Sequence, residues 1–244
     1  MSILEAHNVS KAFGGIQALD TCSVSVEQGK ITGLIGPNGS GKTTLFNVIT
    51  GYERVDTGAI TFNGKAITNS TPDKVFRLGI GRTFQLTRIF PRLTVLENMH
   101  VAAQRQDFRG LLSRWSSSHE QRRALELLDF VGITELKDLP AGNLSYGQQK
   151  LIDIAMAFMP APRLVLLDEP CAGVNPALVE QLHDLLVQLN KAQGGSFVVI
   201  EHNMDFIMRL CPHVICMVEG KVLAAGTPQA VQSDRNVLEA YLGN

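Results

Sequence analysis

Eight residues, Gly36-Pro37-Asn38-Gly39-Ser40-Gly41-Lys42-Thr43, constrain this chain more than any other stretch. They read G-x-x-x-x-G-K-T. Ahead of them Ile31-Thr32-Gly33-Leu34-Ile35 is a short, mostly apolar run suited to a buried strand. After them Thr44 to Thr50 reads as the first turns of a helix, closed by Gly51. A phosphate-binding loop needs that strand–loop–helix setting. Its glycines let successive backbone N–H groups turn inward on phosphate oxygens, and the helix N-terminus adds positive partial charge. In such a loop Lys42 reaches the β- and γ-phosphates of a nucleotide and the Thr43 hydroxyl suits magnesium. A glycine-rich turn with an ordinary surface lysine is the competing reading, and the full match in its proper setting disfavours it.

A chain of 244 residues is expected to form one compact domain, or one domain with an inserted lobe. Hydrophobic residues at 45% and charged residues at 18% suit a globular chain with a sizeable core. The formal net charge of −1 supplies no basic face, so no nucleic-acid partner is expected. Cys22, Cys171, Cys211 and Cys216 form no C-x-x-C pair and are expected to be buried free thiols of a reducing cytosol. The first residues carry no basic stretch followed by an apolar core, so no signal peptide is expected. No apolar run approaches the roughly 20 residues of a membrane helix. Any membrane connection is therefore expected to come through a partner.

From Ile3 to Gln28 the β-branched positions and the Gly14-Gly15 turn predict short antiparallel strands. Phe13 stands beside that turn; an exposed aromatic there can stack on a nucleobase, but by itself Phe13 reads first as a core residue. Gly58 to Gly64 reads as a strand ended by an Asn-Gly turn. Thr71-Pro72-Asp73 opens a short helix, and Ile80 to Phe84 is a further strand ending at Gln85. Gln85 offers a carbonyl to magnesium or to a water, beside the plainer reading of a solvated loop glutamine.

From Leu86 to about Pro160 strand-like runs disappear. Thr94 with Glu97 is a capping-box pair that starts a helix to Gln104, and Ser118 with Gln121 repeats the spacing before a helix to Val131. Leu125, Leu128 and Val131 form its apolar stripe, and Arg109 to Ser118 reads as a solvated loop. This region is expected to be a helical lobe. Ser145, in Leu144-Ser145-Tyr146-Gly147-Gln148-Gln149, is a natural N-cap for a helix running to about Met159. Arg163 to Pro170 places four apolar residues before Asp168 and Glu169, the pattern of a buried parallel strand with carboxylates at its ligand-binding end. Asp168 there can serve magnesium, and Glu169 can deprotonate an attacking water. Pro176 to Gly194 carries a leucine stripe, Ser196 to Ile200 is a buried strand, and His202 follows at the same expected sheet edge. Two strands flank the Glu219-Gly220 turn, and the tail from Pro228 is helical.

Phe13, GPNGSGKT, Gln85, LSYGQQ, LVLLDEP and His202 occur in the order and spacing of an ATP-binding cassette (ABC) ATPase, which the chain resembles over essentially its whole length. GRTFQ-x-x-RIF-x-x-LTVLEN and the closing GTP…VLEAYLG resemble the branched-chain amino acid importers, with urea or amide importers and lipid or lipopolysaccharide exporters as alternatives, and a soluble non-transport ABC protein as a less favoured one. The resemblance implies an α/β P-loop core with an antiparallel β-subdomain (1–85 and 161–244) and a helical lobe (86–160), all one ABC ATPase domain. Phe13 would stack on adenine. Gly36, Pro37, Asn38, Gly39, Ser40, Gly41, Lys42, Thr43 and Thr44 would hold the phosphates of ATP. Thr43, Gln85 and Asp168 would serve Mg2+. Glu169 would act as catalytic base and His202 would contact the γ-phosphate. Ser145, Gly147 and Gln149 would complete the site of a second ABC ATPase subunit, identical or paralogous. A transmembrane permease and, indirectly, a solute-binding protein would complete an importer, with this subunit peripheral on the cytoplasmic side of the inner membrane. Tyr146, where the family usually has glycine, and Asn175, where it usually has aspartate, depart from the pattern.

Overall fold

The computed structural model describes residues 1–84, 87–103 and 118–242. The opening hairpin is longer than the sequence predicts: β1 (Ser2–Phe13) and β2 (Ile16–Glu27) pair antiparallel around the Gly14-Gly15 turn. Register shifts along β1 let its burial pattern break and resume. β4 (Thr57–Phe62) pairs with the other edge of β1, and β5 (Lys65–Ala66) closes a four-stranded antiparallel sheet beyond the Asn63-Gly64 turn.

The second sheet has six strands in the order β10-β9-β3-β8-β7-β6. These are β3 (Ile31–Ile35), β6 (Ile80–Arg82), β7 (Leu164–Asp168), β8 (Ser196–Ile200), β9 (His213–Val218) and β10 (Lys221–Gly226). All neighbours pair parallel except β9 and β10, which form a hairpin over Glu219-Gly220. β3, β7 and β8 are buried on both faces. Their side chains alternate between two cores: Leu164 and Leu166 join one, Val165 and Leu167 the other. The first core holds α1 (Lys42–Ile49) between the two sheets through Leu45, Phe46, Val48 and Ile49. The second lies beneath α5 (Tyr146–Phe158), α6 (Pro176–Gln193) and α7 (Met204–Leu210).

Between β6 and β7 the described residues are helical: α3 (Val95–Ala103), α4 (Ser118–Phe130), two short 3-10 turns and α5, with one isolated bridge between Thr94 and Pro140. Thr94 caps α3 as expected: its N–H donates to Glu97 Oε2 at 2.7 Å and its hydroxyl receives the Glu97 N–H. Ser118 differs, being already helical rather than the cap. The buried face of α4 is Ala124, Leu127 and Leu128, continued by Val131 just past its end, with Leu125 only half-buried, because that face meets α3 and α5. The expected loop from Arg109 lies largely outside the described residues. α5 packs into the same core as β7 and β8, through Leu151, Ala155 and Phe158, so the helical stretch is anchored on the sheet. α2 (Pro72–Leu78) and the closing pair α8 (Pro228–Ser233) and α9 (Arg235–Leu242) complete the chain. All four cysteines are free and buried.

Candidate functional site

Parallel pairing brings the C-terminal ends of β3, β6, β7 and β8 to one sheet edge, where the glycine loop follows β3, Thr83 follows β6, Glu169 follows β7 and Glu201 follows β8. Ligands bind at that edge in open α/β sheets because helix N-termini and loops converge there.

After β3 the chain makes the glycine loop. Gly36 has φ 147°, and a Cβ there would sit 2.1 Å from the Met217 carbonyl oxygen. Gly41 has φ 98°, and its Cβ would sit 2.4 Å from the Ala18 carbonyl oxygen. Only glycine fits either position. Gly41 stands at the N-cap of α1 with no side-chain cap, so the N–H groups of the first turn are left to a ligand. α1 begins at Lys42, two residues ahead of the expected start, which puts Thr43 and Thr44 in that first turn. Pro37 is half-buried, and Asn38, Gly39 and Thr43 are exposed around the rim. Ser40 is buried, and Lys42 folds across the loop, its Nζ donating to the carbonyls of Gly36 (2.8 Å) and Pro37 (2.9 Å) and lying 3.3 Å from Ser40 Oγ. Burial lowers the Lys42 pKa, while Glu169, Cys216 and Asp168 favour its charge.

β7 delivers Asp168 to the same edge. Asp168 is buried, and its Oδ2 accepts from Arg82 Nη2 at 3.1 Å. The same guanidinium donates to Asn47 Oδ1 (2.7 Å) and Thr50 Oγ1 (3.1 Å) of the α1 segment and lies over the Phe46, Tyr52 and Phe84 rings. Burial raises the Asp168 pKa against the pull of Arg82. The backbone N–H of Asp168 donates to Thr83 Oγ1 at 3.3 Å. Sequence reasoning passed over Arg82; its signal was an arginine closing an otherwise apolar strand, where it needs a buried anion.

Glu169 lies one residue past β7, in left-handed backbone with φ 50°. Its direction is set by that turn and not by strand alternation. Its N–H donates to the Ile200 carbonyl at 2.9 Å, and its Oε1 lies 3.0 Å from His202 Nε2. The two turns after the adjacent strands β7 and β8 thus bring Glu169 and His202 together.

Ser145 caps α5 with a full capping box to Gln148. Gln149 Nε2 turns back on the carbonyls of Leu144 (3.0 Å) and Ala141 (3.3 Å), rigidifying the turn ahead of the helix. Gly147 has an intrachain reason as well: a Cβ there would meet Leu178 Cδ2 of α6 at 2.6 Å. Tyr146 leans on the turn after Glu169, where a Cβ on Gly173 would lie 3.2 Å from its ring. Asn175 caps α6, accepting the Leu178 N–H at 2.9 Å. Phe13 is not a core residue; its ring is 42% exposed at the hairpin turn with the Lys11 ammonium 5.0 Å from its centroid. Gln85 lies outside the described residues. No group of three or more His, Cys, Asp or Glu is arranged to cage a metal among the described residues. Thr43 and Asp168 supply oxygen donors only, the chemistry of a hard cation that keeps water and phosphate ligands.

A glycine loop at a helix N-terminus, beside an acid at the end of the neighbouring parallel strands, defines a P-loop nucleotide-binding protein. The sequence matches the ABC transporter family over residues 19–172 and the branched-chain amino acid ATP-binding cassette transporter family over residues 221–244. The chain belongs to the ABC transporter family, as a nucleotide-binding cassette. A probable branched-chain amino acid transport ATP-binding protein, LivG, of Archaeoglobus fulgidus is 41% identical, covering 100% of this chain and 96% of the relative. The solved ADP conformation of MJ1267, an ATP-binding cassette of an ABC transporter, is 38% identical with a TM-score of 0.89 and full coverage of both chains. A dimeric post-hydrolysis state of the cassette MJ0796, bound to ADP and Pi, is 26% identical with a TM-score of 0.79, covering 92% of this chain and 98% of that one.

Proposed function

We propose that this chain is the ATP-hydrolysing subunit of an importer for branched-chain amino acids. The observation that carries it is the convergence of the glycine loop, Asp168 and the Glu169–His202 pair at one sheet edge. The cargo follows from the LivG relative and from the family match at the C-terminus. Those matches do not favour urea, amide or lipid cargo.

Gly36 to Thr44 bind the phosphates through backbone N–H groups, and Lys42 exchanges its two carbonyl partners for phosphate oxygens. Phe13 offers its exposed face to adenine. Thr43 and Asp168, with Gln85, would hold Mg2+, which would neutralise phosphate charge. Glu169 accepts the proton of the attacking water. The water oxygen bonds to the γ-phosphorus as the bridging P–O bond to ADP breaks. His202 holds the Glu169 carboxylate and reaches the γ-phosphate. Ser145, Gly147 and Gln149 face the nucleotide of a second cassette, so each active site is shared across a dimer. We divide the domain into the core, 1–85 and 161–244, and the helical lobe, 86–160. A groove of about 320 Å³ between them, lined by Tyr52, Phe76, Phe84, Val101 and Met156, receives the permease. No helix among the described residues is long and apolar enough to cross a membrane. The likeness to a transport ATP-binding protein supports a peripheral place for the subunit, on the cytoplasmic side of the inner membrane, with a solute-binding protein across it.

The test is reconstitution of the chain with its permease subunits in proteoliposomes. ATP-dependent leucine uptake, abolished by Glu169→Gln while ATP binding persists, is the expected result. Uptake insensitive to Glu169→Gln would remove the assigned base; ATP hydrolysis without leucine, isoleucine or valine transport would remove the cargo.

A further inference from the structure

Glu201 comes directly after β8, one residue before His202, and it is buried. A buried carboxylate needs partners, and this one takes them from two different turns. Oε1 accepts the Cys171 N–H at 2.6 Å. Oε2 accepts the His202 N–H at 3.0 Å and the Asn203 N–H at 3.3 Å. Cys171 belongs to the turn after β7, with only Pro170 between it and Glu169. One oxygen therefore holds the turn that carries Glu169, and the other holds the turn that carries His202.

Glu169 needs such support. A non-glycine residue at φ 50° sits in a costly backbone region and stays there only when its surroundings fix it. Its carbonyl accepts the Ala172 N–H at 3.1 Å and its own N–H donates to the Ile200 carbonyl, so the turn is closed on itself and tied to the end of β8. The opposing charge comes from α5: Lys150 is wholly buried there, and Asp153, Glu201 and Asp168 all favour its charge against burial. α5 thus carries a buried cation whose charge three carboxylates favour, Glu201 among them.

We infer that Glu201 is a positioning residue for the Glu169–His202 pair, a two-oxygen clamp that sets the separation of the turns after β7 and β8. It acts by keeping Glu169 Oε1 and His202 Nε2 at hydrogen-bonding distance. The inference rests on the ATPase reading above.

Two variants test it in the full chain. Glu201→Gln keeps the shape but presents an NH2 group to a backbone N–H on one side. Glu201→Asp keeps the charge opposite Lys150 but is one methylene too short to reach both turns. Misplacement of a reacting group by about 1 Å costs on the order of 10²-fold in rate, so both variants are expected to lower kcat by about that factor. ATP affinity, set by the glycine loop, should stay within about twofold of wild type. Wild-type kcat in both variants, or a loss of ATP affinity as large as the loss of kcat, overturns the clamp. If Glu201→Gln fails to fold because Lys150 loses one of the three carboxylates that favour its charge, Glu201→Asp decides. Hydrogen exchange of the wild-type chain gives an independent readout: the Cys171 and His202 amides should be protected and should lose protection together in either variant. Fast exchange at both in the wild type also overturns it. A wild-type chain without ATPase activity in its assembled transporter refutes the ATPase reading; an active wild type with unaffected variants refutes the clamp alone.

Discussion

Arg82 Nη2 and Asp168 Oδ2 lie 3.1 Å apart, with side chains only 6% and 5% exposed. The acid expected to serve magnesium therefore has one oxygen already paired with a cation of its own chain. The pair also ties β6 and β7 to α1, because Arg82 reaches Asn47 and Thr50 with the same guanidinium. Removing one member of a buried pair typically costs about 3–5 kcal/mol, since the other charge stays buried alone. Arg82→Met is expected to lose stability in that range by urea unfolding, and Arg82→Lys less, because it keeps the charge and loses only the fork. A methionine variant as stable as wild type would show that water reaches Asp168.

Asp153 gives a pH prediction. Burial raises its carboxyl from 3.8 to about 6, against the opposing Arg88 N–H and the charges of Lys150 and Arg88. Its Oδ2 has no hydrogen-bond partner among the described residues. The folded chain then holds this proton more tightly than the unfolded chain. The contribution to stability is complete below about pH 4 and is lost as pH rises through about 6. Asp153→Asn should remove the dependence, gaining on the order of 2–3 kcal/mol relative to wild type between about pH 4 and about pH 7.5. Parallel denaturation curves at the two pH values would show the gain; an unchanged difference would mean that Asp153 ionises without cost.

Lys42 is held by two carbonyls of its own loop, which keeps its ammonium over the place where phosphate is expected. A hydrogen bond to a charged group is worth about 1.5–3 kcal/mol, so Lys42→Ala should weaken ATP binding by about 10- to 100-fold in calorimetry. Equal affinity in the variant would detach Lys42 from phosphate binding.

Glu169 and His202, 3.0 Å apart, are expected to act as a unit. Glu169→Gln should lower kcat by about 10²–10⁴-fold, the usual worth of a general base. The double variant with His202→Ala should then be little worse than Glu169→Gln alone, because the effects of groups that act together do not add. Multiplying losses in single-turnover kinetics would mean two independent roles.

Gly147 separates two reasons for one residue. Its Cβ would strike Leu178 Cδ2, the far end of a flexible side chain, so Gly147→Ala should cost only about 1 kcal/mol in stability. If Gly147 also faces the partner's nucleotide, ATPase activity of the assembled transporter should fall far more than stability does. Retained activity would leave packing against α6 as the whole reason for the glycine.

Much of the site was legible because its signals are local. The strand–loop–helix around Gly36–Thr43, the apolar run into Asp168 and the caps at Thr94 and Ser145 each need only a few neighbouring residues. Arg82 and Glu201 were not legible, since each owes its place to partners far along the chain, Asp168 for one and Cys171 for the other. Leu125 lost its place on the buried face of α4 for a similar reason: periodicity marks an apolar side, and the neighbouring helix selects which part of it is covered.

The phosphate loop, the two acids, the capped Ser145 helix and the late histidine are local features, because backbone φ preferences, capping and apolar periodicity act over a turn or a strand. The tertiary structure alone decided which of them meet. Parallel pairing of β7 with β8 brings Glu169 to His202 across 33 residues of chain. Parallel pairing of β6 with β7 brings Arg82 to Asp168 across 86. Such meetings depend on strand order and on the burial of opposite charges, which are properties of the packed sheet and of no local segment.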